Sequence, residues 1–185
     1  VPENVAIVLD EAYTEYLPDS KRYDSLSWVK KHRNLIVTRT FSKVYGLAGL
    51  RVGFAVCDPG VADLLNRVRQ PFNVNNLALV AAIAALGDGD FVRRSAQSNR
   101  DGMQQLEAGF RRLGLEFIPS VGNFVSVAFK RLNGVSQAAA VYERLLRRGV
   151  IVRPVLGYGM PDHLRITVGS SEENSRFLEA LGKSV

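Results

Sequence analysis

Short apolar runs alternate with helical patterns through the first half of the chain. Residues 5–9, 35–39 and 53–57 are rich in β-branched residues with little polar alternation, the pattern of strands covered on both faces of a sheet. Residues 25–32 read as a short helix between the first two strands. A second helix follows Asp58-Pro59 and runs to about Arg69, closed by Pro71. Residues 75–86 are alanine-rich and apolar almost all round, which predicts a buried helix, stopped by Gly87-Asp88-Gly89.

The second half changes character near Asp90, which marks the expected boundary between a domain at 1–90 and one at 91–185. A long polar helix is predicted over 90–113, with Met103, Leu106, Phe110 and Leu113 on one face and Gly114 at the position after its end. Strands are expected at 115–118 and 123–129. A helix over 135–148 shows an i, i+3, i+4 face of Val135, Ala138, Ala139, Tyr142, Leu145 and Leu146, capped by Gly149. Strands at 150–153 and 164–168 follow. The last helix opens on Ser170-Ser171-Glu172-Glu173, a capping-box spacing, and ends near Leu181-Gly182. No internal repeat is visible.

Composition narrows the classes of function. The chain has 185 residues, 46% hydrophobic and 23% charged, too apolar and too weakly charged for a disordered protein. No apolar run approaches the ~20 residues that a bilayer requires. The single cysteine, Cys57, excludes a disulfide framework and a cysteine-rich zinc site and reads as a buried strand residue. The opening Val1-Pro2-Glu3-Asn4 lacks the basic and apolar regions of a signal peptide, so a cytoplasmic setting is expected. Without an initiator Met, and with a strand almost at once, the chain reads as part of a longer protein.

The net charge of +6 suits nucleic acid or small anions equally well. The basic pairs Arg67/Arg69, Arg93/Arg94, Arg111/Arg112 and Arg147/Arg148 are scattered over predicted helix faces, and no nucleic-acid motif accompanies them. Neither nucleic acid nor a membrane is an expected partner. A non-catalytic basic binding module stays as the remote alternative.

Two segments could carry chemistry. Residues 5–9 lead into Asp10-Glu11-Ala12-Tyr13, a strand ending in two carboxylates, and ligands sit at the carboxyl ends of strands in open α/β sheets. Apolar residues followed by Asp-Glu also describe the magnesium-binding strand of a P-loop ATPase, but the G-x-x-x-x-G-K-[ST] loop is absent. A carboxylate that simply caps the next turn is the other reading. The second segment is Thr40-Phe41-Ser42-Lys43-Val44-Tyr45-Gly46-Leu47-Ala48-Gly49-Leu50-Arg51-Val52-Gly53. Two hydroxyls and a planar guanidinium make a cradle for a dianion, and a lysine beside it could form a Schiff base with a phosphorylated carbonyl cofactor.

D-E-A-Y, followed some thirty residues on by T-F-S-K-x-x-G-L-A-G-L-R-x-G, resembles the pyridoxal-phosphate aminotransferases of fold type I, and among them the histidinol-phosphate branch. The likeness runs on through Gln70-Pro71-Phe72-Asn73, Gly122-Asn123-Phe124, Gly149-Val150-Ile151-Val152-Arg153-Pro154 and Leu164-Arg165-Ile166-Thr167-Val168-Gly169. It implies an α/β fold: the C-terminal part of a large doubly wound domain, then a small α+β domain. It implies Lys43 as the catalytic residue that anchors pyridoxal 5'-phosphate and shuttles the Cα proton. Asp10 would pair with the ring nitrogen, and Tyr13 with the ring's phenolate oxygen. Ser42 and Arg51, with Thr40 as a further candidate, would bind the cofactor phosphate.

Arg165 would receive a substrate carboxylate, and Arg153 the substrate phosphate or distal carboxylate. Asn123 would shape the pocket, or serve only as a turn residue after Gly122. Phe72 stands where some members carry a tyrosine that reaches the substrate phosphate. The implied reaction exchanges an amino group between a phosphorylated amino alcohol, histidinol phosphate, and a 2-oxo acid, 2-oxoglutarate. A homodimer is implied as well. Sister enzymes on the same fold, a threonine-phosphate decarboxylase or an aromatic aminotransferase, would keep Asp10, Lys43 and Arg51.

Overall fold

The computed structural model describes residues 1–185 and divides into two units, Val1–Ser95 and Ala96–Val185. In the first unit, β1 (Ile7–Asp10), β2 (Leu35–Thr40) and β3 (Gly53–Val56) form a three-stranded sheet in that order. β1 and β2 run parallel, with Asp10 opposite Thr38, while β2 and β3 are antiparallel, with Thr40 opposite Gly53. Gly53 is required there, because a Cβ at that position would lie 2.6 Å from the Arg39 carbonyl oxygen.

The helices of this unit are α1 (Ser25–Val29), α2 (Pro59–Val68) and α3 (Asn76–Gly87). Each opens on a side-chain cap: Asp24 accepts from Ser27, Asp58 from Gly60 and Asn75 from Ala78. Such caps satisfy the unpaired N–H groups of a first helical turn. Two small cores form. One gathers Val29, Leu35 and Val37, the other Phe41, Val52, Ala78 and Ala82.

Three expectations for this unit change. β1 begins two residues later than predicted, and Val8 is 62% exposed, so the sheet is not covered on both faces within these residues. α3 buries only Ala78 and Ala82; Leu77, Val80 and Ile83 are exposed, against the prediction of a buried helix. Apolarity all round a helix states a preference for burial, and the surface to satisfy it is not supplied here. Cys57 is half-buried and lies just after β3 rather than inside it.

α4 (Gly89–Arg112) crosses the division between the units. Beyond it, β4 (Phe117–Ile118), β5 (Phe124–Ala128), β8 (Arg153–Pro154) and β9 (His163–Thr167) form an antiparallel sheet in the order β4-β5-β9-β8. α5 (Ala138–Arg147) and α6 (Ser171–Gly182) complete the unit. Its core collects Leu106 and Phe110 of α4, Val125 and Val127 of β5, Leu145 of α5, Leu164 of β9 and Leu181 of α6. Gly102 and Gly109 allow close packing, since a Cβ would strike Val168 and Leu178 respectively. The capping box at Ser170 forms as the spacing predicts, and Gly114 and Gly149 take positive φ.

Three expectations change in this unit. Val135 belongs not to α5 but to a two-stranded hairpin of β6 (Arg131–Leu132) and β7 (Val135–Ser136), where it is 65% exposed. The helical spacing of Val135 with Ala138 and Ala139 was coincidental, because Asn133 and Gly134 both take positive φ and turn the chain there. Of the strand expected over 150–153 only Arg153 lies in a strand, β8, which runs on to Pro154, and the strand expected over 115–118 is cut to the two residues of β4.

Candidate active site

The parallel pairing of β1 and β2 brings their carboxyl ends to one edge of the sheet, where a doubly wound fold holds ligands. Asp10 ends β1 and is exposed; its Oδ1 accepts the Ala12 N–H at 3.1 Å. The capping reading of this carboxylate is therefore real, and it leaves the second oxygen for another donor. Tyr13 follows at the start of a short 3-10 turn. The Lys43 amine lies 5.5 Å from the centre of the Tyr13 ring, so the segments that follow the two strands meet at this pair.

The loop after β2 is shaped by alternating burial. Phe41 is buried, its ring packed on Tyr45 and Phe54, and this anchors the turn between Thr40 and Ser42. The Thr40 hydroxyl accepts the Ser42 N–H at 3.0 Å, which leaves its own O–H to donate. Gly46 takes a φ of +71°, a conformation costly for any residue with a Cβ. Arg51 returns in the left-handed region, with φ 53° and ψ 53°. Its Nη1 donates to the Ala48 carbonyl at 2.9 Å and to Ser42 Oγ at 3.3 Å.

A non-glycine residue in that region stores strain, and such strain gathers at ligand sites. Here it directs a guanidinium onto a serine hydroxyl one residue from Lys43. The donors of Arg51 and Ser42, backed by Thr40, converge as a phosphate ester requires. Lys43 takes part in no ion pair, so no carboxylate competes for its amine. These residues fit a phosphorylated carbonyl cofactor. No cluster of His, Cys, Asp and Glu able to hold a metal ion is present.

Behind the loop is a charged group that the sequence reading passed over. Glu11 is buried and paired with Arg39, whose Nε and Nη2 both reach Glu11 Oε2 at 2.9 Å. Burial raises the pKa of the nearby Glu15, and burial followed by the charge of Glu15 raises that of Tyr45. An available signal was Arg39 itself, an arginine ending the apolar run Leu35-Ile36-Val37, which needs a counter-charge once partly buried.

The second unit holds the other three candidates. Arg153 of β8 and Arg165 of β9 are register partners on antiparallel strands, so their side chains leave the same face of the sheet. Two like charges so placed repel one another, and an anion between them would relieve this. The Arg165 guanidinium lies 4.7 Å from the centre of the Phe124 ring, and its Nε is buried without a partner. Both arginines line one groove with Thr167 and Glu173. Asn123 immediately precedes β5, where its carbonyl accepts the Val168 N–H at 2.9 Å. Phe72 takes a φ of 57° and is 98% exposed.

Comparison with known proteins shows the family. The family model for aminotransferase class I and II matches residues 1–181. Histidinol-phosphate aminotransferase 1 of Dechloromonas aromatica is 56% identical over 185 residues, which are all of this chain and 49% of that protein. Histidinol-phosphate aminotransferase 2 of Pseudomonas fluorescens Pf0-1 is 60% identical over 183 residues, 99% of this chain and 48% of the relative. The crystal structure of histidinol-phosphate aminotransferase from Sinorhizobium meliloti, in complex with pyridoxal-5'-phosphate, superposes with a TM-score of 0.89 at 31% identity, covering 100% of this chain and 50% of that one. The chain thus spans about half the length of the relatives it matches. With a family match over nearly its whole length, the chain belongs to the class I and II aminotransferases.

Proposed function

We propose that the protein carries out pyridoxal-phosphate-dependent transamination, converting L-histidinol phosphate and 2-oxoglutarate to imidazole acetol phosphate and glutamate. The observation that carries this reading is the convergence of Arg51 and Ser42 beside Lys43, an amine in no ion pair, with Asp10 at the end of the neighbouring parallel strand. The choice of amino donor is supported by the names of the relatives that match along the whole chain.

When bound, pyridoxal phosphate supplies an electron sink that accepts the charge left as the substrate Cα loses its proton. Ser42 and Arg51, with the Thr40 hydroxyl, hold its phosphate. The Asp10 carboxylate keeps a proton on the ring nitrogen, and Tyr13 donates its O–H to the ring's phenolic oxygen. Lys43 would anchor the cofactor through its carbonyl carbon, the oxygen leaving as water, and its amine would otherwise be the base that holds the Cα proton. Arg165 takes the carboxylate of the amino-acid partner and Arg153 the substrate phosphate or distal carboxylate; Asn123 shapes the pocket around them.

Residues 1–90 then belong to the large cofactor-binding domain and 91–185 to the small one. The working protein is a cytoplasmic homodimer with small-molecule substrates and no nucleic-acid partner. The exposed apolar side chains of α3 support an assembly in which that helix is covered. Steady-state rates of the full-length protein with L-histidinol phosphate, phosphothreonine and phenylalanine test the assignment. Preference for histidinol phosphate is expected, and preference for either of the others overturns it.

A further inference from the structure

The Glu11–Arg39 pair has no part in the chemistry above, yet it occupies a costly position. The Glu11 side chain is 1% exposed and that of Arg39 24%. Both donors of the guanidinium fork fall on one oxygen, Oε2, while Oε1 is buried with no partner. A buried carboxylate oxygen left unpaired is destabilising, and an apolar pair of similar volume commonly serves stability as well or better. Stability alone therefore does not account for the pair.

Its location suggests what does. Glu11 is the residue after Asp10, and Arg39 precedes Thr40 and stands four residues before Lys43. The Glu11 N–H donates to the Thr38 carbonyl at 2.9 Å, adding a last rung to the β1–β2 ladder. Backbone pairing keeps the strands in register but does not direct the two chains once they leave the sheet. The side-chain pair spans that point, tying the residue after Asp10 to the residue before the Thr40–Lys43 turn. Glu15 lies close enough to feel the charges of Arg39 and Glu11, and Tyr45 that of Arg39.

We propose that Glu11 and Arg39 are positioning residues, a buried clamp that fixes Asp10 and Lys43 relative to one another. The inference rests on the roles proposed for those two residues. Bound pyridoxal phosphate would contact both at once, so a clamp error reaches both of its ends.

The test uses the full-length protein loaded with pyridoxal phosphate and the double variant Glu11→Leu/Arg39→Met. Removing both charges together leaves no unpaired ion, so its melting temperature should stay within a few degrees of the parent's. Cofactor affinity by equilibrium dialysis should nevertheless weaken by about tenfold or more, and the pH midpoint of the visible absorption band should move. Misplacement by ~1 Å predicts a fall in kcat of about a hundredfold, with KM nearly unchanged. The single variant Arg39→Met, which strands a buried carboxylate, should melt well below the double variant. A double variant that keeps the parent's affinity and pH midpoint overturns the clamp, and so does one that fails to fold, since the pair would then be structural. Failure of the unsubstituted protein to bind cofactor through Lys43 would instead overturn the functional reading beneath it.

Discussion

The two units bury their apolar residues differently. Residues 96–185 gather helices α4, α5 and α6 and the antiparallel sheet around one core, with Leu106, Phe110, Val125, Val127, Leu145 and Leu181 fully buried. Residues 1–95 make two small clusters and leave Val68 79%, Leu77 77% and Ile83 73% exposed. The second unit closes one continuous core of its own, with its exposed apolar residues, such as Ile151, Leu156 and Val135, lying outside α4, α5 and α6. The first buries apolar side chains around the Lys43 loop and presents the rest outward. Hydrophobicity in a sequence therefore shows how much cover an element wants, not whether that cover lies within the same stretch of chain.

The largest effect should come from the closed core. Phe110→Ala removes a fully buried ring packed on Phe117 and Phe177 and should cost ~3–5 kcal/mol in denaturant unfolding. Gly53→Ala should come next. Its Cβ would lie 2.6 Å from the Arg39 carbonyl, and backbone cannot retreat as a flexible side chain would. The expected loss is ~1–3 kcal/mol, with weaker cofactor binding in the full-length protein because Gly53 is the register partner of Thr40.

The units should also differ in their response to pH. Burial raises the pKa of Glu15 above its ordinary 4.5, so the folded state holds that proton longer than the unfolded one. Its contribution to stability is greatest at low pH and is lost as pH rises from about 4.5 through the folded value. Glu15→Gln should gain stability relative to the parent as pH rises through that window. Asp162 behaves oppositely, since its hydrogen bond to Arg131 holds it below 3.8. That contribution is present above the ordinary value and disappears as pH falls through the folded one. Asp162→Asn should therefore be most costly near neutrality and least in strong acid. Unfolding curves over an acid pH series read both. The smallest effect should be at Ile83→Gln, within ~0.5 kcal/mol for this chain alone, because that side chain meets water already. A large loss there would erase the contrast between the units.

The same contrast governs how much was legible in the sequence. α4 and α6 lie within about a residue of their predicted bounds, since a 3.6-residue apolar period, a capping box and terminal glycines all agree. Their burial is legible because their partners are in the same unit. The burial of α3 was misread for want of such a partner, and β8 and the β6–β7 hairpin because two-residue strands carry no periodicity. The Thr40–Arg51 loop stood out as a candidate site because its chemistry-bearing residues are contiguous in the sequence. The left-handed conformation of Arg51 and the Glu11–Arg39 pair were not legible, since both depend on how two strands end side by side.

The account turns on Lys43 as the covalent anchor of pyridoxal phosphate. Lys21, Lys30, Lys31, Lys130 and Lys183 are all exposed, while Lys43 is half-buried against Tyr13, so a specific adduct stands apart from surface labelling. Borohydride reduction of the full-length protein loaded with pyridoxal phosphate, followed by peptide mapping, should place the reduced adduct on Lys43, and Lys43→Ala should abolish it. An adduct on another lysine, or none at all, would contradict the account.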